Sequence, residues 1–241
     1  KDRNYNLALG AEKVNGFVLM PGQEFSFNEV VGNRTEKEGY HVAHVILAGE
    51  MVDGMAGGSC QISSTLHGAA YFAGLDMVKS QPHSRPSAYI TMGLDATVVY
   101  PQVDLQLRNP YDFPVVFKYT VSQGTMRVEV LGKKRPYDKV RFERQVLQEV
   151  PYETVTREDN KLPLGATVVD QIGFPGYLLE RRRIFYQGDK VAKRERRKIK
   201  YPSTTEYVRV GTNPDPSLPL PPKAVMHGLT PPKHKIFHLD Q

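Results

Sequence analysis

Within Gly57-Gly58-Ser59-Cys60-Gln61-Ile62-Ser63-Ser64-Thr65-Leu66 a glycine pair hands over to a helical pattern that carries the only cysteine of 241 residues. Ile62, Leu66, Ala69, Ala70 and Ala73 recur at spacings of 4, 3, 1 and 3, which marks one buried helical face. Ser59 is a good N-cap type, so Cys60 is expected in the first turn. Unpaired N–H groups and the positive end of the helix dipole stabilise a thiolate there. A thiol of ordinary pKa ~8.5 becomes a nucleophile in such a place. A lone cysteine is equally at home as a small buried hydrophobe, and this stretch alone does not choose.

Around that helix the pattern is mostly extended. A short helix over residues 4–14 is stopped by Asn15-Gly16. Strands are expected over 17–20, 24–28 and 40–47, followed by a glycine-rich loop from Gly49 to Gly58 that delivers Cys60. Beyond Gly74, strands are expected over 76–80, 86–91, 95–100 and 104–108, with a hairpin of 114–121 and 125–131 across Ser122-Gln123-Gly124. The first domain, 1–133, is therefore expected to be α+β, one central helix against a mostly antiparallel sheet. A linker over 134–144 leads to a small, elongated all-β domain at 145–213. Its strands are expected over 139–156, 165–172, 177–187 and 190–200. The proline-rich stretch 214–241 is expected to be an extended tail.

Charge is unevenly spread. Residues 1–133 carry 11 Lys and Arg against 13 Asp and Glu, whereas residues 134–213 carry 18 against 11. A basic second half suits an anionic neighbour such as a wall polymer, lipid headgroups or nucleic acid, or is simply a solvated face. Arg181-Arg182-Arg183 and Lys193-Arg194-Glu195-Arg196-Arg197-Lys198 lie in strand-like runs that split charges between two faces. Specific nucleic-acid recognition is not expected from them. No run approaches the roughly 18 apolar residues of a membrane span. Because the chain opens on Lys1, it is expected to be a mature form or a fragment, with membrane contact only through parts outside it.

A cysteine nucleophile needs a base within reach and a group to orient the base. His83 follows the helix between Pro82 and Pro86, and Asp95 comes 12 residues later. Two antiparallel neighbours would set them side by side, giving the Cys, His, Asp order of papain-like and transglutaminase-like thiol enzymes. The alternative makes His83 and Asp95 organisers of loops and turns. Gly58, Ser59, Gln61 and Ser63 are expected to line the substrate, with Gln61 adding an oxyanion donor and Arg85 clamping a substrate carboxylate. His41 and His44, three apart on a strand, point to opposite faces and cannot share a metal. No metal and no cofactor is expected. His67 is expected to pack or face solvent.

Pro21-Gly-Gln-Glu-Phe-Ser-Phe-Asn28, Gly39-Tyr40, Gly57 to Leu66, His83-Ser-Arg-Pro86 and Asp95-Ala-Thr-Val98 occur in that order. Together they resemble the VanW domain, named from bacterial vancomycin-resistance gene clusters, over about residues 3–133. Ser59 departs from the aliphatic residue or glycine more usual before the cysteine. Val150-Pro-Tyr-Glu153, Leu164-Gly165, Gly173-Phe-Pro-Gly176, Tyr186-Gln-Gly188 and Val210-Gly-Thr212 are similar to the G-five domain, a β module of bacterial surface proteins. The resemblances imply an exported envelope protein near peptidoglycan, with the second domain on N-acetylglucosamine-containing glycan. The reading that follows is a thiol-dependent acyl transferase or amide hydrolase on wall peptide stems, using Cys60, His83 and Asp95. Its rival is a non-catalytic wall-binding protein with a packed Cys60, and a third reading has the basic module holding anionic wall polymer.

Overall fold

The computed structural model describes residues 2–47, 50–122, 125–222, 232 and 235–241. The first half runs α1 (Asp2–Val14), β1 (Val18–Leu19), β2 (Glu24–Ser26), α2 (Phe27–Val31), a 3-10 turn at Glu36–Glu38, β3 (Val42–Leu47), β4 (Glu50–Met55) and α3 (Ser59–Ala73). It continues with β5 (Asp76–Lys79), β6 (Gln106–Arg108), β7 (Val115–Ser122) and β8 (Thr125–Gly132). Its strands form the sheets β1-β7-β8 and β2-β6-β5 and the β3-β4 hairpin, all antiparallel. The architecture is α+β.

Helix α1 buries Leu7, Ala11 and Val14, spaced four and three apart on one face. Gly10 shares that face, and a Cβ there would stand 2.5 Å from Ile62 Cδ1, so bare backbone lets α1 and α3 close. The core joins Leu7, Val14, Ile62, Leu66 and Ala70 to Phe25, Phe27 and Phe117. Phe25 meets Phe17 and Phe117 edge-on, at centroid distances of 5.1 and 5.3 Å.

Several expected elements differ. The run 24–28 is strand only to Ser26, whose hydroxyl accepts from the Glu29 N–H and caps α2 instead. The glycine-rich stretch before Cys60 contains β4, paired with β3. The strands expected over 86–91 and 95–100 reduce to a single bridge between Val99 and Val103. Side chains of α3 satisfy this segment in place of a neighbouring strand. Ser63 and Ser64 hydroxyls donate to the Ala96 carbonyl at 2.6 and 3.2 Å, and the Ala96 N–H donates to Ser64 at 2.9 Å. His67, which is buried, bonds the Leu94 carbonyl through Nδ1 at 2.7 Å. Of the expected 122–124 turn, Gln123 and Gly124 lie outside the described residues.

The second half is all β: β9 (Lys139–Val150), β10 (Thr154–Pro163), β11 (Thr167–Gln171), β12 (Gly176–Gln187), β13 (Lys190–Tyr201), β14 (Glu206–Asn213) and β15 (Ile236–Asp240). One sheet has the order β13-β12-β9-β15 and the other β10-β14-β11. Strand β9 begins at Lys139, so the stretch expected as linker is partly strand, and the run expected over 139–156 divides into β9 and the start of β10. The expectation of an extended tail over 214–241 is also corrected. β15 pairs antiparallel with β9, and Arg141 clamps Asp240 through two bonds of 2.6 and 2.7 Å. Residues 223–231, 233 and 234 of that stretch lie outside the described residues.

The two halves are joined by arginines. Arg181 and Arg183 alternate inward on β12, 7 and 2% exposed, while Arg182 between them points outward to Glu143 and Glu180. Arg183 donates to the carbonyls of Leu75 at 2.9 Å, Ala70 at 3.3 Å and Tyr71. The Ala70 and Tyr71 carbonyls lie in the last turn of α3 and also accept from the backbone N–H groups of Leu75 and Gly74, and a cation there complements the helix dipole. Part of the basic charge is thus spent inside the molecule.

Candidate active site

Gly58, not Ser59, is the N-cap of α3. Its φ of 116° suits glycine, and a Cβ there would meet Leu7 at 3.2 Å. Ser59 is already helical, buried, and donates to the Ala56 carbonyl at 2.9 Å. Cys60 therefore does sit in the first turn. Its Sγ lies 3.5 Å from the Val98 N–H and 3.6 Å from the Val98 carbonyl oxygen.

The loop after β5 brings His83 and Asp95 together. The Asp95 Oδ2 accepts from the His83 backbone N–H at 2.7 Å and pairs with ring Nδ1 at 2.9 Å. Both residues are buried, 4 and 5% exposed. An ionised Asp95 is acceptor-only, so Nδ1 carries the proton and Nε2 is left for chemistry. The Tyr89 hydroxyl lies 3.1 Å from Nε2.

Electrostatics tie this pair to the thiol. Burial alone would push Cys60 up, but bonding and charge from His83, the Val98 backbone and the Arg34 guanidinium outweigh it and lower the pKa. Burial would lower His83, but Asp95 and Cys60 raise it to about 9. Asp95 would be raised by burial and is instead held low by His83 and then Tyr201. Thiolate, imidazolium and carboxylate are thus mutually favoured.

The expected substrate contacts fare unevenly. Ser59 and Ser63 are both buried and bonded to backbone carbonyls, so they hold the helix and loop and do not face a substrate. The Gln61 N–H is engaged by the Gly58 carbonyl at 2.8 Å, and its side-chain oxygen accepts from Arg3 at 2.9 Å. That fixes the carboxamide by its oxygen and leaves the side-chain NH2 as the donor end of Gln61. Gly58 is spent on the turn, and Arg85 is half-buried on the loop that carries His83. Among the described residues no cluster of His, Cys, Asp and Glu could hold a metal.

Three residues outside the expectation belong here. Arg34 is 8% exposed, bonds Asn28 Oδ1 through Nη2 at 2.7 Å, and keeps a buried Nη1 that has no hydrogen-bond partner among the described residues. Tyr89 caps the imidazole, and Tyr201 donates to Asp95. In sequence each is an ordinary loop or strand residue with no local signal. A cavity of about 680 Å³ lies elsewhere, lined by Phe72, Tyr111, Phe113, Lys134 and Tyr137 at the far end of α3.

A thiol at a helix N-terminus beside a buried His–Asp pair, in an α+β scaffold followed by paired β-sheets, defines the class. The chain belongs to the VanW-like protein family, whose pattern it matches over residues 2–131, and a G5 domain follows at 143–213. It is 40% identical over 126 residues to the uncharacterized protein YoaR of Bacillus subtilis, covering 52% of this chain and 42% of that protein. It is 26% identical over 141 residues to the vancomycin B-type resistance protein VanW of Enterococcus faecalis, covering 56% of this chain and 51% of the relative. The chain thus spans about half the length of these curated relatives. Among solved structures, the G5 domain of an IgA1 protease shares 20% identity at a TM-score of 0.22, over 32% of this chain and 96% of that domain.

Proposed function

We propose that this chain performs thiol-dependent acyl transfer or amide hydrolysis on the peptide stems of peptidoglycan, outside the cytoplasmic membrane. Cys60 is the nucleophile, His83 the acid–base and Asp95 its orienter, in the chain order of papain-like enzymes. The observation that supports this best is the 2.9 Å bond between His83 Nδ1 and Asp95 beside a thiol of lowered pKa. Membership in the VanW-like family with an adjoining G5 domain supports a cell-wall setting.

The thiolate adds to the amide carbonyl carbon, and the oxyanion forms near the first turn of α3 and the unpaired Arg34 arm. The His83 imidazolium gives its proton to the leaving amine as the C–N bond breaks, which leaves a thioester. Neutral His83 then takes a proton from the acceptor, water or a second amine, whose attack on the thioester releases the thiolate. The G5 unit grips wall glycan nearby. Arg194, Arg196, Lys198 and Lys200 alternate along the exposed face of edge strand β13, a stripe suited to anionic wall polymer.

Mass spectrometry of purified wall fragments, incubated with the protein and with Cys60→Ala, tests the reading. New products that disappear with the variant are expected, and their mass separates transfer from hydrolysis. Equal binding of fragments by both proteins with no product from either would leave a wall-binding module with a packed cysteine.

A further inference from the structure

We propose that Tyr201, which belongs to the second β-unit, is a positioning residue for the Cys60–His83–Asp95 site, so that this site is complete only with the β-unit docked. The inference rests on the thiol-enzyme reading above and assigns the G5 region a role in the chemistry beyond gripping glycan.

Both lone-pair sides of the Asp95 carboxylate have to be held if the imidazole is to keep one orientation. Oδ2 is occupied by the His83 backbone and ring. Oδ1 accepts from the Tyr201 hydroxyl, and among the described residues it otherwise meets only the Gly93 N–H at a weak 3.4 Å. The same hydroxyl accepts from the Gly93 N–H at 2.9 Å, which aims its proton at Asp95. Tyr201 is fully buried and sits 106 residues from Asp95 in the chain. Its ring is fixed at the end of β13 by pairing with Tyr177 and by Phe174, Leu179 and Ile199 around it.

Neighbouring contacts serve the same loop. Arg181 donates to the Gly93 carbonyl at 2.8 Å, and Arg197 donates to the Ser80 carbonyl and hydroxyl, each at 2.8 Å. Residues 80–95, which carry both His83 and Asp95, are therefore held at both ends from the β-unit. Among the described residues they have no strand of their own beyond Ser80. An apolar side chain would fill much of the volume of Tyr201, but it would give Oδ1 no hydroxyl donor.

The test compares Tyr201→Phe with wild type in the full chain, reading the rate of Cys60 alkylation by iodoacetamide against pH. Tyr177→Phe is the control, because Tyr177 pairs with Tyr201 across the strands and its buried hydroxyl has no hydrogen-bond partner among the described residues. Tyr201→Phe is expected to move the acid limb of the profile upward by about half to one pH unit, slowing alkylation along that limb by roughly three- to tenfold. Tyr177→Phe is expected to keep the wild-type profile. A wild-type profile in folded Tyr201→Phe overturns the proposal and leaves the thiol-enzyme reading intact. An ordinary thiol profile in the wild type itself overturns that reading. Should Tyr201→Phe fail to fold, 3-fluorotyrosine at position 201, a stronger donor of nearly the same shape, decides: the limb is expected to move downward, and an unmoved limb overturns the proposal.

Discussion

Burial alone would push Cys60 and Asp95 up and His83 down, and in each case the neighbours reverse the direction. In the proposed mechanism His83, raised to about 9, is the acid that serves the leaving amine. Activity is therefore expected to fall on the alkaline side near pH 9, as the imidazolium is lost, and on the acid side as the thiolate is protonated. The same shift contributes stability that is fully present below the ordinary histidine value and is lost as pH rises through about 9. Replacing Asp95 with Asn should drop turnover by about a hundredfold or more and move the alkaline limb down toward pH ~6.5. A pH–rate profile checks this, and an unmoved limb would mean that another group supplies the proton. His67 shows the opposite case. Burial, then the charge of Arg181, depresses it to about 3, so its contribution is present above the ordinary value and is lost as pH falls through about 3. The Cys60–His83–Asp95 set was readable from residue types and order; Arg34, Tyr89 and Tyr201 were not, because nothing in their local sequence distinguishes them from surface residues.

Elements that depend on local signals match their expected places. α1 ends at the expected Asn15-Gly16 stop, and α3 ends at Gly74 in the left-handed region. The turn before α3 depends on Gly58, whose φ of 116° strains any residue with a Cβ. Gly58→Ala is expected to cost about 1–3 kcal/mol and to displace Cys60, slowing its alkylation as well. Urea unfolding combined with alkylation kinetics checks both effects, and a variant of wild-type stability would show that the turn carries no strain. Elements that depend on partners were misread. Residues 86–100 look strand-like, yet their backbone is claimed by Ser63, Ser64 and His67 of α3. β15 hides in a proline-rich stretch and becomes a strand because β9 offers it an unpaired edge.

Across the whole molecule the two halves are held by arginines whose charge has left water. Arg183 supplies donors to carbonyls in and just past the last turn of α3, and Arg183→Met takes the side-chain donor from the Leu75 carbonyl and the added donors from Ala70 and Tyr71. The expected loss is about 2 kcal/mol or more, read from the urea midpoint of the full chain. An unchanged midpoint would show that the halves do not stabilise one another through this contact. The sequence by itself determined the helix that follows the glycine pair and carries the lone thiol in its first turn, the order of His83 and Asp95 after it, and membership in the VanW-like family. All of these reside in residue type, spacing and motif order along the chain. Only the tertiary structure decided that Asp95 is held by Tyr201 and the end of α3 by Arg183, residues more than 100 positions away. Such contacts follow from how two sheets and a helix pack, and a buried donor finds its acceptor by proximity in space, which no local period encodes.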